Sequence, residues 1–210
     1  MTKEKAHKLY LLLKQIFPEA KSELNYNNPY ELLVAVILSA QCTDKRVNMV
    51  TPTLFKKFSN PLELSLANVE ELEQIIHSCN YYKTKAKNLI ISAKEIVEKF
   101  DNKVPNNLND LMTLAGVGRK TANVVYSAGF MGQAIAVDTH VLRVSNRLGL
   151  SHSNNVVEVE KDLMKLFDKS VWSEVHHMLV LFGRYYCTAR NPKYPSSEFE
   201  KEFPYKLEKK

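Results

Sequence analysis

Apolar residues along this chain recur at intervals of three and four, and strict alternation of apolar and polar positions is scarce, so the pattern predicts an all-α protein. Leu9, Leu12, Leu13 and Ile16 line a first helix. Asn28 and Pro29 stand as cap and first residue of a second helix carrying Leu32, Leu33, Val36 and Ile37. Thr43 caps a third that runs through Phe55. Asn68 precedes Glu71 at capping-box spacing and opens a short helix to about His77, while Ala86, Leu89, Ile90, Ala93, Ile96 and Val97 form the buried stripe of another that ends near Phe100. A polar loop from Asp101 to Asn107 contains Pro105. Further helices are expected over 108–114, 121–130, 138–148, 156–167 and 172–185. The last stretch, from Arg190 on, is rich in Pro, Ser, Lys and Glu and reads as loosely packed or irregular.

Length and composition narrow the class. With 210 residues, 45% of them hydrophobic, the chain buries a sizeable core as one large domain or two small ones. Its longest apolar run, Leu32 to Ala40, is too short to cross a bilayer, and the first residues lack the apolar segment of a secretion signal. No membrane partner is expected, and a cytoplasmic location is. The three cysteines, Cys42, Cys79 and Cys187, are odd in number and far apart, which argues against a disulfide framework. A net charge of +6 points to an anionic partner, and nucleic acid is one such partner.

The densest chemistry lies in Leu114-Ala-Gly-Val-Gly-Arg-Lys120-Thr-Ala-Asn, followed by Val137-Asp138-Thr-His140. Gly116 and Gly118 flank Val117 in a turn too tight for most residues, with positive φ expected at the glycines. The turn joins two helices into a helix-hairpin-helix, whose backbone N–H groups and second-helix dipole face an anion. Lys120 has two readings from these residues alone, a phosphate contact or a nucleophile. Nucleophilic attack needs the neutral amine. Arg119 next to it and the start of a helix disfavour the ammonium, and partial burial in a cleft would push the same way. Asp138, 18 residues downstream, reads as a helix N-cap, a role compatible with catalysis. His140 contacts phosphate or fills space.

Taken together, Leu38-Ser-Ala-Gln41-Cys-Thr-Asp44, the Tyr81-Tyr82-Lys83-Thr-Lys85-Ala segment, Leu114 to Val125, Ala136 to Arg147 and Gly183-Arg184-Tyr-Tyr-Cys187-Thr-Ala-Arg190 resemble the endonuclease III branch of the helix-hairpin-helix DNA glycosylases. The resemblance spans nearly the whole chain. It implies two helical domains, 22–132 and a discontinuous 1–21 with 133–210, binding DNA at the cleft between them. It further implies a bifunctional glycosylase and AP lyase that removes oxidised pyrimidines from duplex DNA in base-excision repair, acting as a nucleoid-associated monomer. On this reading Lys120 forms a Schiff base with the sugar and β-elimination follows, while Asp138 faces it as the catalytic carboxylate. The second function class is a catalytically silent DNA-binding protein on the same scaffold. Intact Lys120 and Asp138 favour the enzyme.

The same resemblance makes Gln41 a residue that fills the gap left by a flipped nucleotide, with a second wedge at Tyr81, where relatives often carry leucine. Lys83 and Lys85 follow as backbone contacts, together with Gly116, Val117, Gly118, Arg119, Thr121, His140, Arg143, Arg184 and Arg190. No metal is expected to be required. Relatives often hold a four-iron, four-sulfur cluster through C-x6-C-x2-C-x5-C. Counted from Cys187, that spacing reaches Tyr194, Ser197 and Phe203, so only Cys187 remains of the four ligands and no cluster is expected. Tyr194, Phe199 and Phe203 are the residues available to replace it by apolar packing.

Overall fold

The computed structural model describes residues 1–206, and among these it contains α-helices, one 3-10 turn and no strand. The helices begin where side chains satisfy the first backbone N–H groups. Asn28, Asn60, Asn68 and Asn107 each accept from the N–H three residues on, and Thr2, Thr43 and Ser196 do the same through their hydroxyls. The contacts sort the chain into two compact units, Ser22–Met131 and Met1–Lys21 with the residues from Gly132 on.

In the continuous unit, helix α2 (Pro29–Ser39) is the centre. Every residue from Leu32 to Leu38 is buried, the mark of a helix surrounded by others. Around it stand α3 (Asp44–Lys57), α4 (Pro61–Ser65), α5 (Val69–Ile76), α6 (Tyr82–Lys99), α7 (Leu108–Leu111) and α8 (Arg119–Phe130). Helix α3 runs through Pro52 and past the expected end at Phe55. The short α4 carries no helical periodicity for sequence reasoning to detect. Its only sign is Asn60-Pro61, which repeats the cap-and-proline start of α2.

In the discontinuous unit, α1 (Lys3–Ile16) packs against α10 (Val156–Leu166) and α11 (Trp172–Tyr185), and α9 (Thr139–Leu148) crosses α11. Tyr10 Oη donates to Glu174 Oε2 at 2.5 Å, and Lys14 pairs with the same carboxylate at 3.1 Å, tying α1 to α11. Where α9 crosses α11, a Cβ on Gly183 would lie 2.8 Å from His140 Cβ, so the glycine sets the approach of the two helices.

The C-terminal stretch corrects the expectation of a loosely packed tail. Within the described residues it forms α12 (Ser197–Glu202), with Phe199 and Phe203 each 2% exposed. Phe199 meets Phe182 at 5.2 Å, and Tyr194 stacks on Tyr205 at 4.1 Å. The Tyr205 N–H donates to Tyr194 Oη at 2.7 Å, and Tyr205 Oη donates to the Lys193 carbonyl at 2.8 Å. Arg147 reaches back to the carbonyls of Thr188 and Ala189, and the Lys206 N–H donates to the Arg147 carbonyl at 2.7 Å. Four aromatic side chains spaced through a polar segment bury enough apolar surface to order it.

On α11, burial pushes the His177 imidazole down from its ordinary 6.5 to about 4. The folded state therefore prefers the neutral ring, and between those two values the unfolded chain binds more protons. Stability from this group is complete above about pH 6.5 and is lost as pH falls toward 4, by at most about 3 kcal/mol for a fully buried ring and less for this partly buried one. Urea unfolding midpoints of His177→Gln are expected to fall less steeply than those of the parent protein over that interval.

Candidate active site and nucleic-acid interface

The hairpin is built on three anchors. Leu114 and Val117 are buried, and the Val117 N–H donates to the Leu114 carbonyl at 3.1 Å, which closes the turn. The Ala115 N–H donates to Glu95 Oε2 on α6 at 2.8 Å. Gly116 adopts φ +78°, and a Cβ there would meet Asn88 Cβ at 3.0 Å, so both conformation and space demand glycine. Gly118 departs from expectation: it is the N-cap of α8 in extended backbone (φ −90°, ψ 177°), and nothing lies within 4 Å of a Cβ built on it. Gly118, having no side chain, offers no side-chain cap to α8.

Lys120, the second residue of α8, is exposed. The partial burial expected of it is absent from the free protein, because it lies on the outer rim of the hairpin while Ala122 and Val125 take the core face. Arg119 beside it is also exposed, and Thr121 is half-buried. Asp138 is the N-cap of α9, its Oδ1 accepting from the N–H groups of His140 and Val141 at 2.8 Å each. Oδ2 makes no hydrogen bond among the described residues. One carboxylate oxygen thus orients the group and the other stays available for chemistry.

Gln41 and Tyr81 sit on two loops that the structure joins. Both are left-handed, at φ 53° and 59°, and Asn80 Nδ2 donates to the Gln41 carbonyl at 2.6 Å. Tyr81 is 65% exposed at the start of α6, a rigidly presented ring with no apolar cover. Sequence reasoning missed Asn80, Asn88 and Glu95, which hold these loops and the hairpin. Each acts across a long sequence separation and leaves no local signal.

Lys85 and Arg143 require correction. Lys85 is 6% exposed, and its Nζ donates at 2.7 Å to the carbonyls of Leu38 and Ala40, closing the C-terminal end of α2 instead of meeting DNA. Burial pushes its ammonium down, with the nearby Cys42 and Cys79 opposing. Arg143 spends its guanidinium on the carbonyls of Cys187 (2.9 Å) and Gly183 (2.8 Å) and sits 3.1 Å from His140 Nδ1. His140 consequently packs at the α9–α11 crossing. Lys83 and Arg190 remain exposed, and Arg184 is half-buried.

Residues 34–169 match the HhH-GPD superfamily of base excision DNA repair proteins. Endonuclease III of Bacillus subtilis (strain 168) is 51% identical over 179 residues, covering 85% of this chain and 82% of the relative. Endonuclease III of Haemophilus influenzae is 42% identical, covering 98% of both. Among solved structures, a non-covalent endonuclease III–DNA complex superimposes with TM-score 0.92 at 46% identity, covering 97% of this chain and 96% of that one. A trapped endonuclease III–DNA covalent intermediate superimposes with TM-score 0.89 at 48% identity, covering 93% and 92%.

Two pairs of substitutions separate the roles at this site. Gly116→Ala is expected to destabilise the fold by about 1–2 kcal/mol from its left-handed backbone alone, whereas Gly118→Ala leaves urea stability within about 0.5 kcal/mol while weakening duplex binding by anisotropy. Lys85→Ala is expected to lower stability by about 3 kcal/mol, since it leaves buried carbonyls unpaired, and Lys83→Ala to change only the affinity for DNA and its salt dependence.

Proposed function

The chain belongs to the HhH-GPD superfamily of base excision DNA repair proteins, and from that premise we propose how its residues carry out the glycosylase and AP lyase chemistry of an endonuclease III. Lys120 is the nucleophile. Its neutral amine attacks C1′ of the lesion nucleotide, the N-glycosidic bond breaks and the base leaves with a proton; the C1′–O4′ bond then breaks, O4′ takes up a proton, and the opened sugar is left joined to Lys120 through a C1′=N iminium. The resulting Schiff base acidifies C2′. Loss of a C2′ proton and cleavage of the C3′–O bond nick the strand, and water hydrolyses the iminium to release Lys120. Asp138, held by its cap hydrogen bonds, stabilises cationic charge on the sugar and assists proton transfer through Oδ2. DNA lying over the exposed lysine supplies the exclusion of water that the free protein lacks.

The observation that carries this reading is an exposed lysine on the first turn of α8, directly after the tight glycine turn of the hairpin. The trapped covalent intermediate of a relative with 48% identity supports the covalent route. Gln41 and Tyr81 fill the gap left by the flipped nucleotide. The substrate class is oxidised pyrimidines, and the enzyme works as a monomer on nucleoid DNA.

This chemistry proceeds without an iron–sulfur cluster. The C-terminal donor set does not fit one: Cys187 is the single thiol there, and the positions that the cluster pattern requires are Tyr194, Ser197 and Phe203. Tyr194 is stacked on Tyr205 and Phe203 is buried, and among the described residues no group of three His, Cys, Asp or Glu is placed to hold a metal. Aromatic packing does the ordering. Stoichiometric iron with visible sulfide-to-iron absorption in the purified protein would overturn this point.

The test incubates the protein and Lys120→Ala with duplexes carrying thymine glycol or an abasic site, then reduces with borohydride. The parent protein is expected to give a covalent adduct and a nicked strand, and the variant neither, with DNA binding retained. Binding without adduct or nick from the parent protein would instead identify a silent recognition module.

A further inference from the structure

The loops that present Gln41 and Tyr81 each carry a cysteine one or two residues from the wedge side chain, and the two cysteines flank the hydrogen bond that joins these loops. Cys42 follows Gln41 and is half-buried at the surface, while Cys79 lies two residues before Tyr81 and is 2% exposed. Both belong to the same hydrophobic cluster. The backbones are already stitched together by Asn80 to the Gln41 carbonyl at 2.6 Å and by Lys85 to the Ala40 carbonyl at 2.7 Å. Burial and the Cys42 neighbour hold the Cys79 thiol up at about 11, with the cations of Lys85 and Arg46 opposing. The pair is thus a cluster of two nucleophilic sulfurs beside a fixed ammonium that the repair chemistry does not use.

We propose that Cys42 and Cys79 form an oxidisable dithiol whose disulfide locks the two wedge loops and slows engagement of damaged DNA. The proposal rests on the wedge roles given to Gln41 and Tyr81 above. The accessible Cys42 thiolate attacks a hydroperoxide, the O–O bond breaks, and a sulfenic acid and hydroxide result. The Cys79 thiol then attacks that sulfur, the S–S bond forms, the S–O bond breaks, and water leaves with the thiol proton. In sum, two thiols and one hydroperoxide become one disulfide, one water and one water or alcohol. A sulfur–sulfur bond of about 2.05 Å fixes the separation of the two loops. A displacement of about 1 Å at a positioning element costs up to about a hundredfold in rate.

The full chain is treated with hydrogen peroxide, alkylated and digested without reduction, and disulfide-linked peptides are mapped by mass. Wedge insertion is read in parallel from the fluorescence of 2-aminopurine opposite an abasic site, which reports engagement whether or not strand cleavage occurs. A 42–79 link is expected, with insertion slowed about tenfold or more, recovery on reduction with dithiothreitol, and insensitivity to peroxide in Cys42→Ser. A map without that link, or the link with unchanged insertion, overturns the proposal. Loss of cleavage in untreated protein bears only on the enzymatic reading, because both readouts here are independent of turnover.

Discussion

The continuous unit depends on how the end of its central helix is closed. Helix α2 is buried from Leu32 to Leu38, and the carbonyls of its last turn find partners within the protein. Ser39 Oγ takes the Val36 carbonyl, the Cys42 N–H takes that of Ser39, and the Lys85 ammonium takes those of Leu38 and Ala40. A charge buried this way is costly, and the hydrogen bonds to carbonyl dipoles offset the cost. The closure bends the chain into the left-handed residue Gln41 and brings α6 alongside, with Asn80 and Tyr81 at its head. The Lys85 hydrogen bonds thus tie the first turn of α6 to the end of α2.

From α6 the constraint passes to the hairpin. Asn88 and Glu95 stand on its hairpin-facing side, one against Gly116 and the other on the Ala115 N–H, so the turn rests on a rigid rod instead of a loop. What the turn presents outward is an extended glycine followed by an exposed lysine. In the discontinuous unit, Asp138 caps α9 with one carboxylate oxygen.

The C-terminal segment is ordered by aromatic packing and by Arg147. With Cys187 alone, order comes from Phe199, Phe203 and the Tyr194–Tyr205 stack, and from Arg147, which is bonded to the carbonyls of residues 188 and 189 and by its own carbonyl to Lys206. Polar composition concealed this. A segment with few apolar residues reads as irregular when those residues are counted, and as packed when four of them converge on one core.

The sequence by itself determined the helices with long apolar stripes and side-chain caps, the hairpin turn, and the candidacy of Lys120 and Asp138, because periodicity, capping and glycine chemistry act within a few residues. The short helices α4 and α12 escaped it, being too brief to repeat a period. Tertiary structure alone decided which lysine is free and which is spent. Lys83 and Lys85 are two residues apart with the same chemistry, yet one is exposed and the other is buried on carbonyls some 45 residues away in sequence. It likewise decided that Arg143 serves the α9–α11 crossing, that of the two hairpin glycines only Gly116 takes positive φ, and that Cys42 and Cys79 share one hydrophobic cluster. The reason in each case is that partner and burial are set by distant segments, and local residue patterns carry no record of them.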